Sequence, residues 1–551
     1  MAPVYSCLFS TLLLSTLVSA QSGSGFGVIR YVDGDHSNEG FGQSVSAAGD
    51  INRDGYGDYL IGAPSASPNG VSGAGKAYLY SGKNHKLLAE MVGEEQGQSL
   101  GSVMAPAGDI NADGYPDIVM GCPNQIVAGF TKVGAVYVYS GKDGQLLRKL
   151  TGSFASHRFG CSVSTAGDVN ADGFDDFIIG SYSSYAYVYS GASNQMLYAL
   201  TGQYWNLGVC VAGGGDLNGD GFDDVAISHA TGDSDDSGEP DGVAYVFSGA
   251  DGSQMYMFTD QGTSDEHFGT SLAFAGDVNG DGYEDVIIGA NGDQDGFGGG
   301  LIQVRSGKTG GMIARILGQD KYQAFGVMVS AAGDWDKDGY DDFAVGSSYM
   351  WSNYPGIVEL YSGRTKTRMA RLSPPGDPGL GYSMDYLGDI TGDGYPNCIV
   401  AMPKRNAPKH YGSAALLGLG PVLELNRDKI SIFEGGSIGM KLEFPKAAAN
   451  MEYKILMSAH GTGPTSYGVD IPLTQDAVMQ RSANGIYPVE SHVNMHGTLD
   501  GKGSALARLD FPPDIPTSML GTTLWLAAVA HPVGELPQYS SVARTITLVL
   551  Y

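Results

Sequence analysis

One segment recurs seven times along this chain. FGQSVSAAGDINRDGYGDYLIGAP, beginning at Phe41, returns as LGSVMAPAGDINADGYPDIVMGCP at Leu100, FGCSVSTAGDVNADGFDDFIIGS at Phe159 and LGVCVAGGGDLNGDGFDDVAIS at Leu207. It returns again as FGTSLAFAGDVNGDGYEDVIIGA at Phe268, FGVMVSAAGDWDKDGYDDFAVGS at Phe325 and LGYSMDYLGDITGDGYPNCIVAMP at Leu380. The first aspartates of the seven turns, Asp50, Asp109, Asp168, Asp216, Asp277, Asp334 and Asp389, stand 59, 59, 48, 61, 57 and 55 residues apart. Spacings of this order belong to propellers and solenoids, in which one supersecondary unit buries its apolar face only against its neighbours.

Each unit reads as β throughout: a short strand (GQSVSAAG), an Asp-rich turn, an apolar strand (DYLIGAP), a variable loop, an alternating strand (KAYLYSG), a turn and a final strand (KLLAEMVG). Four strands per unit and seven units predict an all-β, seven-bladed propeller, because radial closure removes exposed sheet edges. After YGSAALLGLG (Tyr411 to Gly420) no fourth strand follows, whereas GVIRYVDG (Gly27 to Gly34) precedes the first unit. The amino-terminal strand 27–34 is therefore expected to complete blade seven and zip the ring, within a propeller spanning 21–420.

The F/L-G start, the D-x-N-x-D-G-x-x-D core and the G-A-P-like end resemble the FG-GAP repeat of integrin α-subunit propellers, over roughly residues 27 to 420. The resemblance identifies a fold family and leaves the partner open.

The Asp-rich turn is also a metal argument in its own right. Calcium takes six to eight oxygens, and carboxylates at positions 1, 3, 5 and 9, a carbonyl at 7 and glycine at 6 can wrap one ion. It is not an EF-hand, since position 12 of the first copy is Ile61 and β-type sequence flanks it. The resemblance implies side-chain ligands Asp50, Asn52, Asp54 and Asp58 with the carbonyl of Tyr56; Asp109, Asn111, Asp113 and Asp117 with Tyr115; and Asp168, Asn170, Asp172 and Asp176 with Phe174. It likewise implies Asp216, Asn218, Asp220 and Asp224 with Phe222; Asp277, Asn279, Asp281 and Asp285 with Tyr283; and Asp334, Asp336, Asp338 and Asp342 with Tyr340. The seventh copy keeps Asp389 and Asp393 but has Thr391 and Asn397, so six calcium sites are expected and a seventh is doubtful. Asx-type turns alone would explain D-x-N-x-D-G, but not the further Asp at position 9.

Leu8 to Val18 is an apolar run followed by the small-residue pattern Val18-Ser19-Ala20, so 1–20 reads as a signal peptide. The mature chain is expected to be secreted or at the cell surface, without a membrane span, and no glycosylation is expected of it. Among 551 residues, 59 Asp+Glu against 31 Lys+Arg give a formal charge of −28, which makes nucleic acid and anionic membrane poor partners. Cys122, Cys161, Cys210 and Cys398 stand singly, without zinc or thioredoxin spacing; no disulfide pairing follows from them.

In the resembling propellers ligands dock on the face opposite the calcium turns. Here that face is expected to carry Tyr204, Trp205, Tyr322, Tyr349, Trp351 and Tyr354, which suit sugar or protein contacts or else pack between blades. The acidic loop Ser228 to Gly242 and the basic group Lys404, Arg405, Lys409 and His410 read as solvated. No H-E-x-x-H, G-x-S-x-G or P-loop is present, and His157, His229 and His267 are isolated loop histidines. Beyond Pro421, seven or eight short alternating segments predict a β-sandwich accessory domain over 421–551. The expected function is a calcium-binding recognition or adhesion module for an extracellular protein or matrix ligand, with no enzymatic activity. A glycan-binding lectin is the first alternative, and a propeller-based lyase or hydrolase accessory the second.

Overall fold

The computed structural model describes residues 26–183, 185–203, 207–230, 242–260, 267–292, 299–319, 324–348, 356–373, 379–392, 394–403 and 412–419, together with the backbone of strands beyond 420. Seven four-stranded antiparallel sheets follow one another along the chain to residue 419. Blade 1 is Val45–Gly49, Asp58–Ala63, Lys76–Tyr80 and Leu87–Val92, paired in that order. Blade 7 is built from both ends: Met384–Gly388, Asn397–Met402 and Ser413–Leu419 take Phe26–Asp33 as their fourth strand. That strand runs antiparallel to Ser413–Leu419, in register from Phe26 opposite Leu419 to Asp33 opposite Ser413. The Ser413 hydroxyl donates to the Asp33 carboxylate at its end.

Second strands such as Asp58–Ala63 and Asp285–Ala290 are buried at every residue, which is why they read as unbroken apolar runs rather than alternating ones. The cores lie between blades. Leu60 and Leu79 of blade 1 pack with Leu100, Met104 and Tyr137 of blade 2, and Tyr59 and Ile61 pack with Ile399 and Leu416 of blade 7. No blade therefore has a complete core of its own, the defining property of a repeat fold.

The two glycines that mark five of the seven repeats are the point where neighbouring blades touch. A Cβ on Gly62, in the G-A-P end of blade 1, would stand 2.0 Å from the carbonyl oxygen of Gly101, in the start of blade 2. The same approach recurs for Gly121 on Gly160, Gly180 on Gly208, Gly289 on Gly326 and Gly346 on Gly381. Blade 4 substitutes Ser228, whose hydroxyl donates to the Gly269 carbonyl at 2.6 Å.

Beyond residue 420 the described backbone is all β. Its two larger sheets are Val422–Leu425, Gly436–Glu443, Ser504–Phe511 and His492–Val493, and a six-stranded sheet through Lys429–Ser431, Arg544–Val549, Thr523–His531, Glu452–Ser458 and His496–Thr498, with Tyr539–Ser540 also paired to Thr523–His531. Among the described residues no helix is long and apolar enough to cross a membrane. The signal segment 1–20 lies outside them.

Candidate metal centres

Each Asp-rich turn joins a first strand to a second. In the first, Asp50 Oδ1 accepts the Asp54 N–H at 3.0 Å and Oδ2 the Gly55 N–H at 2.9 Å, while Asp54 Oδ1 accepts the Tyr56 N–H at 3.2 Å. Gly55, at position 6, has φ +87, a conformation that costs glycine nothing. The carboxylate at position 1 thus organises the loop through both of its oxygens, and at Asp216 and Asp277 Oδ1 accepts a second N–H, from Gly219 and Gly280 at 2.6 Å. The pattern repeats at Asp109, Asp168, Asp216, Asp277 and Asp334.

Position 9 behaves differently. Asp58, Asp117, Asp176, Asp224, Asp285 and Asp342 are fully buried. Each accepts a backbone N–H from the glycine that follows its blade's third strand: Gly82 at 2.9 Å, Gly141 at 3.1 Å, Gly191 at 2.9 Å, Gly249 at 3.0 Å, Gly307 at 3.3 Å and Gly363 at 2.8 Å. The same carboxylates therefore tie the turn to the outer half of the blade. Burial, opposed by these hydrogen bonds, pushes Asp58 up to about 6 and the other five up to about 7.

The donor set fits a hard dication. Asn52 Oδ1 is buried and meets no hydrogen-bond donor, while its amide nitrogen donates to Asp58 at 3.2 Å. A buried acceptor left without a donor beside these carboxylates is what a bound cation would satisfy. In the sixth turn carboxylate oxygens of Asp334, Asp336 and Asp338 lie within 4.8 Å of one another. The seventh turn is poorer: the Thr391 hydroxyl donates to Asp389 Oδ1 at 3.3 Å, and Asn397 Oδ1 accepts the Ile390 N–H at 2.9 Å. Asp393 lies outside the described residues.

Two features of the turns are not visible in the sequence. Position 7, expected to offer only a carbonyl, also packs its ring between blades: the Arg53 guanidinium lies 4.2 Å from the Tyr115 centroid, and Lys337 lies 3.8 Å from that of Tyr395. Position 8, to which the motif gives no role, reaches back to the preceding turn. Asp175 accepts the Asp109 N–H at 3.2 Å, Asp223 the Asp168 N–H at 2.8 Å, and Asp341 the Asp277 N–H at 2.9 Å.

The residues expected on the opposite face, Tyr204, Trp205, Tyr322, Tyr349, Trp351 and Tyr354, lie outside the described residues, as do Lys404, Arg405, Lys409, His410 and most of the acidic loop. The structure exposes a different aromatic group, one that sequence reasoning misses. Phe130 and Phe154 are 63% and 64% exposed, and Tyr182 and Tyr185 are also exposed. Phe130, Phe154 and Tyr182 sit on loops joined by backbone hydrogen bonds, Ser156 N–H to Thr131 O at 3.3 Å and Tyr182 N–H to His157 O at 2.7 Å, and Tyr185 opens the strand Tyr185–Tyr189. Phe154 packs on His157 at 5.1 Å and Arg158 lies 5.1 Å from the Tyr182 ring. These loops join second to third strands, or one blade to the next, so antiparallel order puts them at the end opposite the Asp-rich turns.

His267 stands apart, with Nδ1 3.1 Å from the Gly292 carbonyl. The seven first strands around the central channel carry one carboxylate, Asp385, which accepts the Ala47 N–H at 2.9 Å and the Ser46 hydroxyl at 3.2 Å, closing blade 7 onto blade 1. Cys122, Cys161, Cys210 and Cys398 are free thiols, and burial pushes each of them up.

The sequence profile of the FG-GAP repeat matches residues 41–80, 101–139, 159–195 and 268–302. Integrin alpha-V of Gallus gallus is 29% identical over 264 residues, 44% of this chain and 25% of its own length. Integrin alpha-5 of Xenopus laevis is 30% identical over 270 residues, 44% of this chain and 24% of its own. Integrin alpha-PS5 of Drosophila melanogaster is 34% identical over 125 residues, 21% and 12% respectively. The matched region thus spans a quarter or less of these relatives. The turns, the inter-blade glycine pairs and these matches agree: the chain carries FG-GAP repeats in a seven-bladed β-propeller and has integrin α-subunits among its homologues.

Proposed function

We propose that this chain is a secreted, calcium-stabilised propeller that recognises an extracellular protein, with 421–551 as a β-sandwich accessory domain and no catalytic role. The observation that carries the recognition reading is the exposed aromatic group of Phe130, Phe154 and Tyr182 on adjoining loops of blades 2 and 3, with Tyr185 at the start of the strand that follows. Rigid aromatics rimmed by His157 and Arg158 have the make-up of a protein-binding patch. The resemblance to integrin α-subunits supports an extracellular protein or matrix ligand over a glycan, and no observation favours the lectin or lyase alternatives.

Six dications in the turns of blades 1 to 6 would be held by the residues at positions 1, 3, 5 and 9, and would offset about 12 of the 28 excess negative charges. Their role would be to fix the blade ends from which the opposite loops project.

The test immobilises the calcium-loaded mature chain and measures capture from extracellular-matrix extracts, beside the double variant Phe130→Ser, Phe154→Ser and beside the wild-type chain in EDTA. Capture lost in both comparisons supports the reading. Equal capture by the double variant would overturn the assignment of this face.

A further inference from the structure

Blade 5 breaks the repeat at its third strand. The corresponding strands read KAYLYSG, AVYVYSG, YAYVYSG, VAYVFSG and IVELYSG in blades 1, 2, 3, 4 and 6, but LIQVRSG in blade 5. Arg305 stands where the others have Tyr80, Tyr139, Tyr189, Phe247 and Tyr361, and Gln303 replaces the tyrosine of blades 1 to 4. In three of those blades this ring stacks on a ring of the second strand, as Tyr80 does on Tyr59 at 5.6 Å, Tyr189 on Phe177 at 5.8 Å and Tyr361 on Phe343 at 5.5 Å. Two slender polar side chains in place of two rings leave volume unfilled, and a cleft of about 800 Å³ opens there between blades 4 and 5.

The floor of the cleft is an ordered polar chain. Arg305 donates through Nε at 3.0 Å and Nη2 at 2.7 Å to Gln303 Oε1, and its guanidinium lies 5.1 Å from the Phe258 ring. Gln303 Nε2 donates to Asp260 Oδ1 at 2.9 Å, and Arg315 Nη2 to Asp260 Oδ2 at 3.0 Å. One carboxylate thus holds the Arg315 guanidinium directly and reaches Arg305 only through the Gln303 amide. Asp260 is the partner of Arg315, whereas the bonds of Arg305 go to a neutral amide. Burial pushes the Arg305 guanidinium down from its ordinary range, and the nearby Asp260 charge opposes this in part. The walls are Met255, Met257, Met312 and Tyr256, adaptable apolar groups around a fixed cation.

The shape of the opening identifies the occupant. Every residue from Met255 to Thr259 lines it, from both faces of the strand Gln254–Thr259. That strand is the outermost of blade 4, so among the described residues the backbone groups along its free edge have no strand partner in their sheet. We propose that this cleft is a second binding site, which takes an extended acidic–apolar peptide as a fifth strand on Gln254–Thr259 with a carboxylate of that peptide on Arg305. Main-chain pairing supplies the affinity, the guanidinium selects the acidic residue, and the methionine walls take the alternate apolar side chains. The local charge favours this ligand although the chain as a whole is acidic, because exposed charges beyond about 8 Å are largely screened at physiological salt.

The experiment uses the mature chain in calcium and follows the anisotropy of a fluorescein-labelled Val-Glu-Val-Glu-Val amide. The expected result is binding at least tenfold tighter than that of the Val-Gln-Val-Gln-Val analogue, abolished when alternate peptide nitrogens are methylated. Arg305→Gln should remove the preference for glutamate, and the Phe130→Ser, Phe154→Ser variant should retain it, so this site fails or stands apart from the aromatic face. Equal binding of the two peptides, or full binding of the methylated one, would overturn the proposal without requiring any variant to fold. Displacement by sodium hexanoate at the same concentration as unlabelled peptide would also overturn it, since a small-anion pocket needs no strand edge.

Discussion

The carboxylate of Asp223 accepts the backbone N–H of Asp168 at 2.8 Å across a blade boundary. Asp223 sits between Phe222 and Asp224, the residues at positions 7 and 9 of the fourth turn, and it holds the first ligand residue of the third. Ordering one turn therefore places a ligand of its neighbour, and Asp175 and Asp341 repeat the relation. Replacing Asp223 by Ala removes a charge-assisted hydrogen bond of about 1.5–3 kcal/mol. The expected outcome is a lower melting temperature and weaker terbium luminescence from the third turn as well as the fourth. In the second turn, where position 8 is Pro116, Pro116→Ala should leave the first turn's affinity unchanged.

Removing calcium should destabilise the propeller as a whole. With dissociation constants of ~0.1 mM in ~1 mM calcium, linkage gives about 1.4 kcal/mol per ion, and on the order of 8 kcal/mol for six independent sites. That is comparable with the ~5–15 kcal/mol total stability of an ordinary domain. Calorimetry in calcium and in EDTA checks it, and an unchanged melting temperature sinks the metal assignment.

The seven blades, the positions of the Asp-rich turns and the closing strand were legible because each rests on a repeated residue pattern. Position 8 was not, because its identity varies among Gly57, Pro116, Asp175, Asp223, Glu284, Asp341 and Pro396, and only the ring geometry brings it against the preceding turn. Phe130 and Phe154 lie in loops that differ in length and sequence from blade to blade, where the repeat carries no information. Arg305 was visible as a break in the third-strand pattern, but its consequence needed Phe258 and the edge of the neighbouring blade.

His85 gives the fold a pH dependence. Burial, then the Arg30 charge, pushes it down from 6.5 to about 4, and its Nδ1 lies 3.4 Å from the Tyr59 hydroxyl. The folded state holds it neutral, while the unfolded chain protonates near 6.5. Its contribution is fully present above pH 6.5 and is lost as the pH falls through 4, on the order of 2–3 kcal/mol. His85 has φ +58, and Asn194 occupies the equivalent place in blade 3 with φ +66. His85→Asn should therefore fold and flatten urea-unfolding stability between pH 6.5 and 4, whereas an unchanged slope would assign the acid sensitivity to other groups.

The contact between Gly62 and Gly101 predicts a steep and local cost. A methyl on Gly101 would lie 2.2 Å from the Lys76 carbonyl oxygen at φ +83, so neither backbone nor neighbour can accept it without blades 1 and 2 moving apart. Gly101→Ala should cost about 3 kcal/mol or more, from overpacking added to a left-handed backbone. Gly129 is the control: its φ is +84, but nothing lies within 4 Å of the position a Cβ would take. Gly129→Ala should cost only about 1 kcal/mol, the conformational part alone. Denaturant melts of the two variants separate the terms. Equal losses would mean that the glycine pair serves the backbone turn and not the approach of the blades, and close packing between blades would no longer account for the paired glycines of the repeat.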